Sequence, residues 1–173
     1  MKAITKNPNC PPQLQSHIAV APDDTWESFK LNTAAYNEVK ESIKKDQRGI
    51  CCYCEIDFMS ESVVPDFRVE HFYPKSLTPC PDGSNAHLSW ENLLGCCFGG
   101  SERHKPALNT PRFTSPDLHC DAIKGDKDLT NVILNPLHLN STDKIFKYNS
   151  EGEMLVDLEY CIILPRNWTK KSW

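Results

Sequence analysis

The chain has 173 residues, of which 39% are hydrophobic and 24% charged, and its formal net charge is −4. This length suits one domain, and the composition excludes wholesale disorder and a generically basic nucleic-acid coat. The sequence has no apolar run near the roughly 18 residues that a membrane span needs and no apolar signal segment at its start, so we expect a cytoplasmic protein.

The first predicted elements are an arm and a long helix. Residues 1–23 are polar and proline-rich, which is typical of an extended arm. Residues 24–47 predict a helix, with Asp24 as its N-cap, a break near Asn32 and an aromatic stripe that packs in the core.

The middle of the chain predicts a turn, a strand and two loops. Residues 51–55 have the composition of a tight turn, and the apolar alternation over residues 67–71 predicts a strand. Residues 74–89 and 98–119 are rich in proline, glycine and polar residues, which predicts long loops.

The last elements are short. Residues 120–124 predict a helix that Gly125 ends, and residues 145–148 and 154–156 predict a β-hairpin. We expect one domain over residues 24–160, followed by a basic, aromatic tail at residues 161–173.

Nine cysteines are the strongest chemical signal of the sequence. A disulfide framework would leave one thiol over, and clustered cysteines in a reducing compartment more often bind metal. Cys51 and Cys54 form a C-x-x-C knuckle, whose two thiolates can reach one tetrahedral zinc ion. A thiol-based redox protein would also carry this motif, but it needs a thioredoxin-like βαβ context that the sequence lacks.

A second cysteine pair is needed to complete such a site. Cys97 and Cys120 stand in contexts that look like the two halves of another knuckle, with an insertion between them. Cys96 competes directly with Cys97, and His104 and His119 are further candidate ligands. The remaining thiols are expected to be small buried side chains: Cys10, Cys52, Cys80 and Cys161.

Glu70 and His71 stand at the end of the predicted strand. Phosphodiester hydrolysis needs a base for water and a cation for the developing charge, and a carboxylate beside an imidazole can provide for both. Side chains alternate along a strand, so the strand must end or bend here if both serve one site. Taken alone, the pair is more typical of a surface ion pair or a core histidine.

The motifs follow one another along the chain in a definite order. They are Cys51-x-x-Cys54-Glu55, Val69-Glu70-His71-Phe72-Tyr73-Pro74-Lys75-Ser76, Trp90-Glu91-Asn92-Leu93-Leu94, Cys97 and Cys120-Asp121-x-x-Lys124-Gly125. Taken together, they resemble the HNH endonucleases. The similarity is narrower to the zinc-containing subfamily that includes PtuB of the bacterial Septu anti-phage system, and the retron-linked PtuB proteins look closest.

This resemblance implies an α+β fold around a ββα-metal core, also called a His-Me finger. In such a core, a structural zinc ion holds two strands and one helix together, with an N-terminal helix and a C-terminal hairpin beside them. The implied zinc ligands are Cys51, Cys54, Cys97 and Cys120.

The resemblance also implies catalytic roles. His71 is the general base, while Glu70 and Asp121 bind the catalytic Mg²⁺ or Mn²⁺. Asp121 departs from the asparagine or histidine usual at its position, but a carboxylate still binds a hard cation. Asn92 holds the loop and orients the histidine.

Lys75 and Lys124 are candidates for phosphate contact, with a solvated surface position as the alternative for each. The implied function is that of the effector nuclease of an anti-phage defence complex, cutting DNA, with RNA as the alternative. The implied partners are an ABC/SMC-like ATPase resembling PtuA and, in retron systems, a reverse transcriptase with its DNA product. A non-catalytic zinc-bound interaction module is the competing hypothesis.

Overall fold

A computed structural model describes residues 2–57, 67–99, 118–139 and 146–157. The predicted tail at 161–173, most of the insertion before Cys120, and the candidates His104 and Cys161 lie outside these residues. Within them the protein mixes helices with short antiparallel strands, as the α+β prediction requires.

The N-terminal region contains a helix that the sequence analysis did not predict. Helix α1 spans Pro12–Val20, so the prediction of an extended arm over residues 1–23 is wrong for this part. Proline suits the first helical turn, because its missing N–H would have no partner there and its φ is already helical. The two prolines therefore start a helix here.

Residues ahead of α1 lie against the rest of the protein. The Ile4 N–H donates to the Pro136 carbonyl at 2.9 Å, and the Lys6 ammonium lies 3.6 Å from the ring centroid of Trp90. The Trp90 indole N–H donates to the Asn7 carbonyl at 2.9 Å. The segment ahead of α1 is extended, as predicted, but it packs against the rest of the protein.

The helix predicted over residues 24–47 is confirmed as two helices, α2 (Trp26–Phe29) and α3 (Thr33–Asp46). The predicted break is also confirmed, since Asn32 caps α3 through its side-chain oxygen. The predicted cap Asp24 is wrong by one residue. Thr25 caps α2 instead, by accepting a hydrogen bond from the Ser28 N–H at 3.2 Å.

Two antiparallel strands form the centre of the fold. Strand β1 (Arg68–His71) confirms the predicted strand and pairs with β2 (Leu93–Cys96), which is completely buried. Helix α4 (Asp121–Lys124) follows, and Gly125 ends it with a φ of +52°, as predicted.

The predicted hairpin is confirmed as β3 (Phe146–Tyr148) paired with β4 (Met154–Val156). Among the described residues, none of the helices combines the length and the apolar character needed to cross a membrane.

The Gln47 amide joins the end of α3 to β2. Its nitrogen donates to the carbonyl oxygens of Gly95 and Ile50 at 2.9 and 2.8 Å, and its oxygen accepts from the Gly95 N–H at 2.6 Å. Cys52 adds a backbone hydrogen bond to the Gly95 carbonyl at 2.9 Å. These bonds satisfy the outer edge of β2 and fix the turn that carries Cys51 beside it.

Candidate metal centre and active-site cleft

Four thiols converge where the turn after α3, the end of β2 and the start of α4 meet. The Sγ atoms of Cys51, Cys54, Cys97 and Cys120 all lie within 4.8 Å of one another. Three of the separations are 3.9, 3.6 and 3.7 Å, for Cys51–Cys120, Cys54–Cys97 and Cys97–Cys120. Ligands about 2.3 Å from a tetrahedral zinc ion lie about 3.8 Å apart, so the four thiols could hold such an ion.

The backbone around these thiols supports thiolate ligands. The N–H groups of Tyr53 and Cys97 donate to the Cys51 Sγ at 3.5 and 3.3 Å. Hydrogen bonds among the four thiols, above all those of Cys120, lower the pKa of Cys51 and Cys97, and the same set of bonds raises the pKa of Cys54 and Cys120. Since the thiolate is the form that binds metal, the two backbone donors favour metal binding at Cys51.

The structure separates the competing candidates Cys96 and Cys97. Cys97 is in the group of four, whereas Cys96 groups with Cys51 and Cys52 and donates to the Asp121 Oδ1 at 3.3 Å. His119 lies beside the group of four, with its Nε2 3.7 Å from the Cys97 Sγ. Geometry therefore favours Cys97 as the fourth ligand.

A cleft of about 670 Å³ opens beside β1 and α4. It brings together most of the residues predicted for catalysis and adds cations and aromatic rings. Its charged and titratable lining residues are Lys30, Arg68, Glu70, His71, Lys75, Asp121, Lys124 and Asp126, and its aromatic ones are Trp26, Tyr36, Phe67 and Phe98.

Glu70 is buried in this cleft and bound by two donors. The Lys124 ammonium lies 2.8 Å from the Glu70 Oε1, and the Tyr53 hydroxyl donates to the same oxygen at 3.0 Å. Burial raises the pKa of Glu70, while the charge of Lys124 opposes that rise.

Asp121, on the first turn of α4, has a similar environment. The Arg68 guanidinium lies 2.5 Å from the Asp121 Oδ1. Burial raises the pKa of Asp121, and Arg68 opposes the rise. Glu70 and Asp121 thus offer the oxygen ligands that a hard cation takes, and each already has a positive partner. Among the described residues, two groups of three or more side chains could hold a metal ion, and both groups consist of cysteines.

His71 ends β1 with a buried imidazole. Its Nε2 lies 3.1 Å from the His87 carbonyl oxygen, which can only accept, so the proton belongs on Nε2 and the lone pair on Nδ1. The Trp26 ring meets the imidazole edge-on at 5.1 Å. Burial lowers the pKa of His71 to about 4, so the ring is neutral at pH 7.

Asn92 does not line the cleft but holds the loop behind it. Its side chain accepts from the Tyr73 N–H at 2.7 Å and donates to the carbonyls of Tyr73 and Ala86 at 2.9 and 2.8 Å. Ala86 precedes His87, whose carbonyl contacts the His71 ring. Asn92 therefore supports the loop whose His87 carbonyl contacts the His71 ring.

The two lysines predicted to contact phosphate differ in environment. Lys75 is partly exposed and forms an ion pair with Glu27. Lys124 is only 4% exposed, and besides Glu70 it binds the His71 carbonyl at 2.9 Å. The surface alternative for Lys124 is therefore wrong, because its ammonium lies inside the site.

Three site residues were missed by the sequence analysis. Tyr53 binds Glu70, Arg68 binds Asp121, and His87 fixes the imidazole of His71. Tyr53 lies inside the cysteine knuckle and Arg68 lies two residues before Glu70, so proximity to a motif was the available signal for both. His87 lies in a predicted loop, where the sequence gives no such signal.

Comparison with known proteins gives one informative relative. Over 153 aligned residues the chain is 36% identical to the Escherichia coli protein named "Retron Ec83 putative HNH endonuclease". The predicted resemblance to HNH endonucleases is thereby confirmed. The alignment covers 81% of this chain but only 56% of the relative, so the chain spans little more than half of that protein's length. No family model and no solved structure matches the chain.

Proposed function

We propose that this protein is an HNH endonuclease that hydrolyses phosphodiester bonds in nucleic acid. The observation that carries the proposal is a neutral histidine of fixed tautomer, buried beside two carboxylates in a cleft lined with cations. The similarity to a protein named as an HNH endonuclease supports the same reaction class.

His71 acts as the general base in this mechanism. Its Nδ1 lone pair takes a proton from the attacking water, and the His87 carbonyl holds Nε2–H while the charge forms. Such a base typically contributes a factor of about 10² to 10⁴ in rate. Asn92 keeps the supporting loop in place, which makes it a positioning residue.

Glu70 and Asp121 are the residues that would hold a catalytic Mg²⁺ or Mn²⁺. When bound, such a cation stabilises the charge that develops on the phosphate and on the leaving oxygen. Lys30 and Lys75 add positive charge along the cleft, which attracts the phosphate backbone of the substrate.

The four-cysteine group would hold a structural zinc ion. Its ligands come from the knuckle, the residue after β2 and the residue before α4, so the ion would join the two strands and the helix of a ββα-metal core. Because metal binding becomes folding free energy, zinc would stabilise the HNH domain that we place at residues 24–160.

We place this nuclease in a retron-associated anti-phage defence system. The name of the relative mentions both a retron and an HNH endonuclease. A PtuA-like ATPase and a reverse transcriptase with its DNA product are the proposed partners, in the cytoplasm. The net negative charge fits a nuclease whose partner delivers the substrate, which is DNA with RNA as the alternative.

The test is a cleavage assay with zinc-loaded protein on DNA and RNA, with Mg²⁺ or Mn²⁺ and with or without a co-purified ATPase. His71→Ala should abolish cleavage while zinc content and fold persist. The matched control is His138→Ala, an exposed histidine outside the cleft. Cleavage retained in the His71 variant would refute the assignment. A wild-type protein that binds zinc and cuts no nucleic acid would support the interaction-module hypothesis.

A further inference from the structure

Lys124 is a buried cation that the proposed reaction leaves without a role. Its ammonium binds the Glu70 carboxylate and the His71 carbonyl at 2.8 and 2.9 Å. We propose that Lys124 is an internal countercharge that keeps the divalent-cation affinity of the substrate-free cleft low. Tight cation binding then requires the negative charge of a substrate phosphate. This inference rests on the proposed function, because it concerns the same cleft.

The charges of the cleft support this role. The carboxylates of Glu70 and Asp121 are each matched by one cation, Lys124 and Arg68, so these four groups sum to zero. The neutral His71 ring adds no charge. The two cations would therefore offset part of the attraction that the carboxylates exert on a divalent cation placed among these groups.

The position of the ammonium adds direct competition. The Lys124 ammonium contacts the Glu70 Oε1, which also accepts a hydrogen bond from the Tyr53 hydroxyl, so a cation that binds this oxygen must share or displace these contacts. Removing one partner of a buried pair is costly, which holds the ammonium in place in the free protein. Magnesium sites commonly use one or two carboxylates together with substrate phosphates, and a phosphate would supply the charge that Lys124 cancels.

Binding of Mn²⁺ to the zinc-loaded chain tests the proposal without nucleic acid. Free Mn²⁺ is followed by electron paramagnetic resonance at pH 8. Lys124→Met should lower the Mn²⁺ dissociation constant at least tenfold, whereas Lys124→Arg should leave it within threefold. Adding Glu70→Gln to Lys124→Met should abolish the gain.

The matched control is Lys30→Met, which removes a lysine that lines the same cleft and should change the dissociation constant less than threefold. A folded, zinc-loaded Lys124→Met variant whose Mn²⁺ affinity is unchanged or weaker would overturn the proposal.

A second measurement uses the wild-type chain, so it tests the proposal even if the Lys124→Met variant fails to fold. In ¹⁵N-lysine-labelled protein, the protected ammonium signal of Lys124, assigned with Lys124→Arg, should shift or disappear as Mg²⁺ is added. A signal unchanged at saturating Mg²⁺ would refute the role. If the Lys124 variants change the Mn²⁺ dissociation constant as expected but the protein cuts no nucleic acid, only the proposed function is refuted. If cleavage depends on His71 but the Lys124 variants leave the Mn²⁺ dissociation constant unchanged, only this inference is refuted.

Discussion

Replacing Gln47 with methionine should destabilise the zinc-loaded fold by about 3 kcal/mol. Methionine keeps the length of the side chain but loses three hydrogen bonds, two with Gly95 and one with Ile50. The Gly95 carbonyl keeps its hydrogen bond from the Cys52 N–H. The Gly95 N–H, in contrast, loses the Gln47 oxygen that accepts its hydrogen bond. An orphaned buried donor costs about 1–3 kcal/mol, and each other lost bond costs about 1 kcal/mol or less.

The assay is urea unfolding at a fixed zinc concentration, followed by circular dichroism. The midpoint should fall while the slope stays constant, because the surface exposed on unfolding does not change. The control is Gln15→Met, an exposed glutamine of α1, which should change stability by less than about 0.5 kcal/mol. A loss below about 1 kcal/mol for Gln47→Met would refute the view that its amide completes the edge of β2.

Four further predictions concern the site. Gly99→Ala should weaken zinc retention, measured by chelator-driven release, because a Cβ there would lie 2.2 Å from the His119 carbonyl oxygen beside Cys120. Cys97→Ser should lose zinc in elemental analysis, whereas Cys96→Ser should retain it, since only Cys97 belongs to the group of four. The cleavage rate should stay flat from pH 8 to about 5.5, because burial lowers the pKa of His71 to about 4. In the unfolded chain that pKa is near 6.5, so the stability linked to His71 should be lost as pH falls below 6.5.

The first three of these have a control or a contrary outcome. Gly83→Ala has a similarly positive φ but no atom within 4 Å of the added Cβ, so it separates backbone strain from the clash at Gly99. Zinc lost from Cys96→Ser and kept by Cys97→Ser would reverse the ligand assignment. A cleavage rate that falls around pH 6.5 would show that the working base is not the buried imidazole of His71.

The features that could be predicted from sequence were local. The spacing of Cys51 and Cys54 indicates a knuckle whatever surrounds it, and Gly125 ends α4 because a left-handed conformation favours glycine. Helix α1 was missed because adjacent prolines are compatible with either an extended arm or a helix start. The contacts of its residues with the rest of the chain decide between them.

The rest of the site depends on contacts between distant segments. A helix of four residues has no periodicity from which the burial of Lys124 could be predicted, and its partner Glu70 lies on another element. In the same way, nothing near Gln47 indicates that its amide completes a strand edge formed by residues 48 positions further along the chain.

The docked segment before α1 constrains the order of folding. The Lys6 ammonium binds the carbonyls of Trp90 and Leu93, 84 and 87 residues away, and Ile4 binds the carbonyl of Pro136. During synthesis these first residues leave the ribosome long before their partners exist. The segment that contains Ile4 and Lys6 can therefore complete these contacts only after the chain has been translated through Pro136.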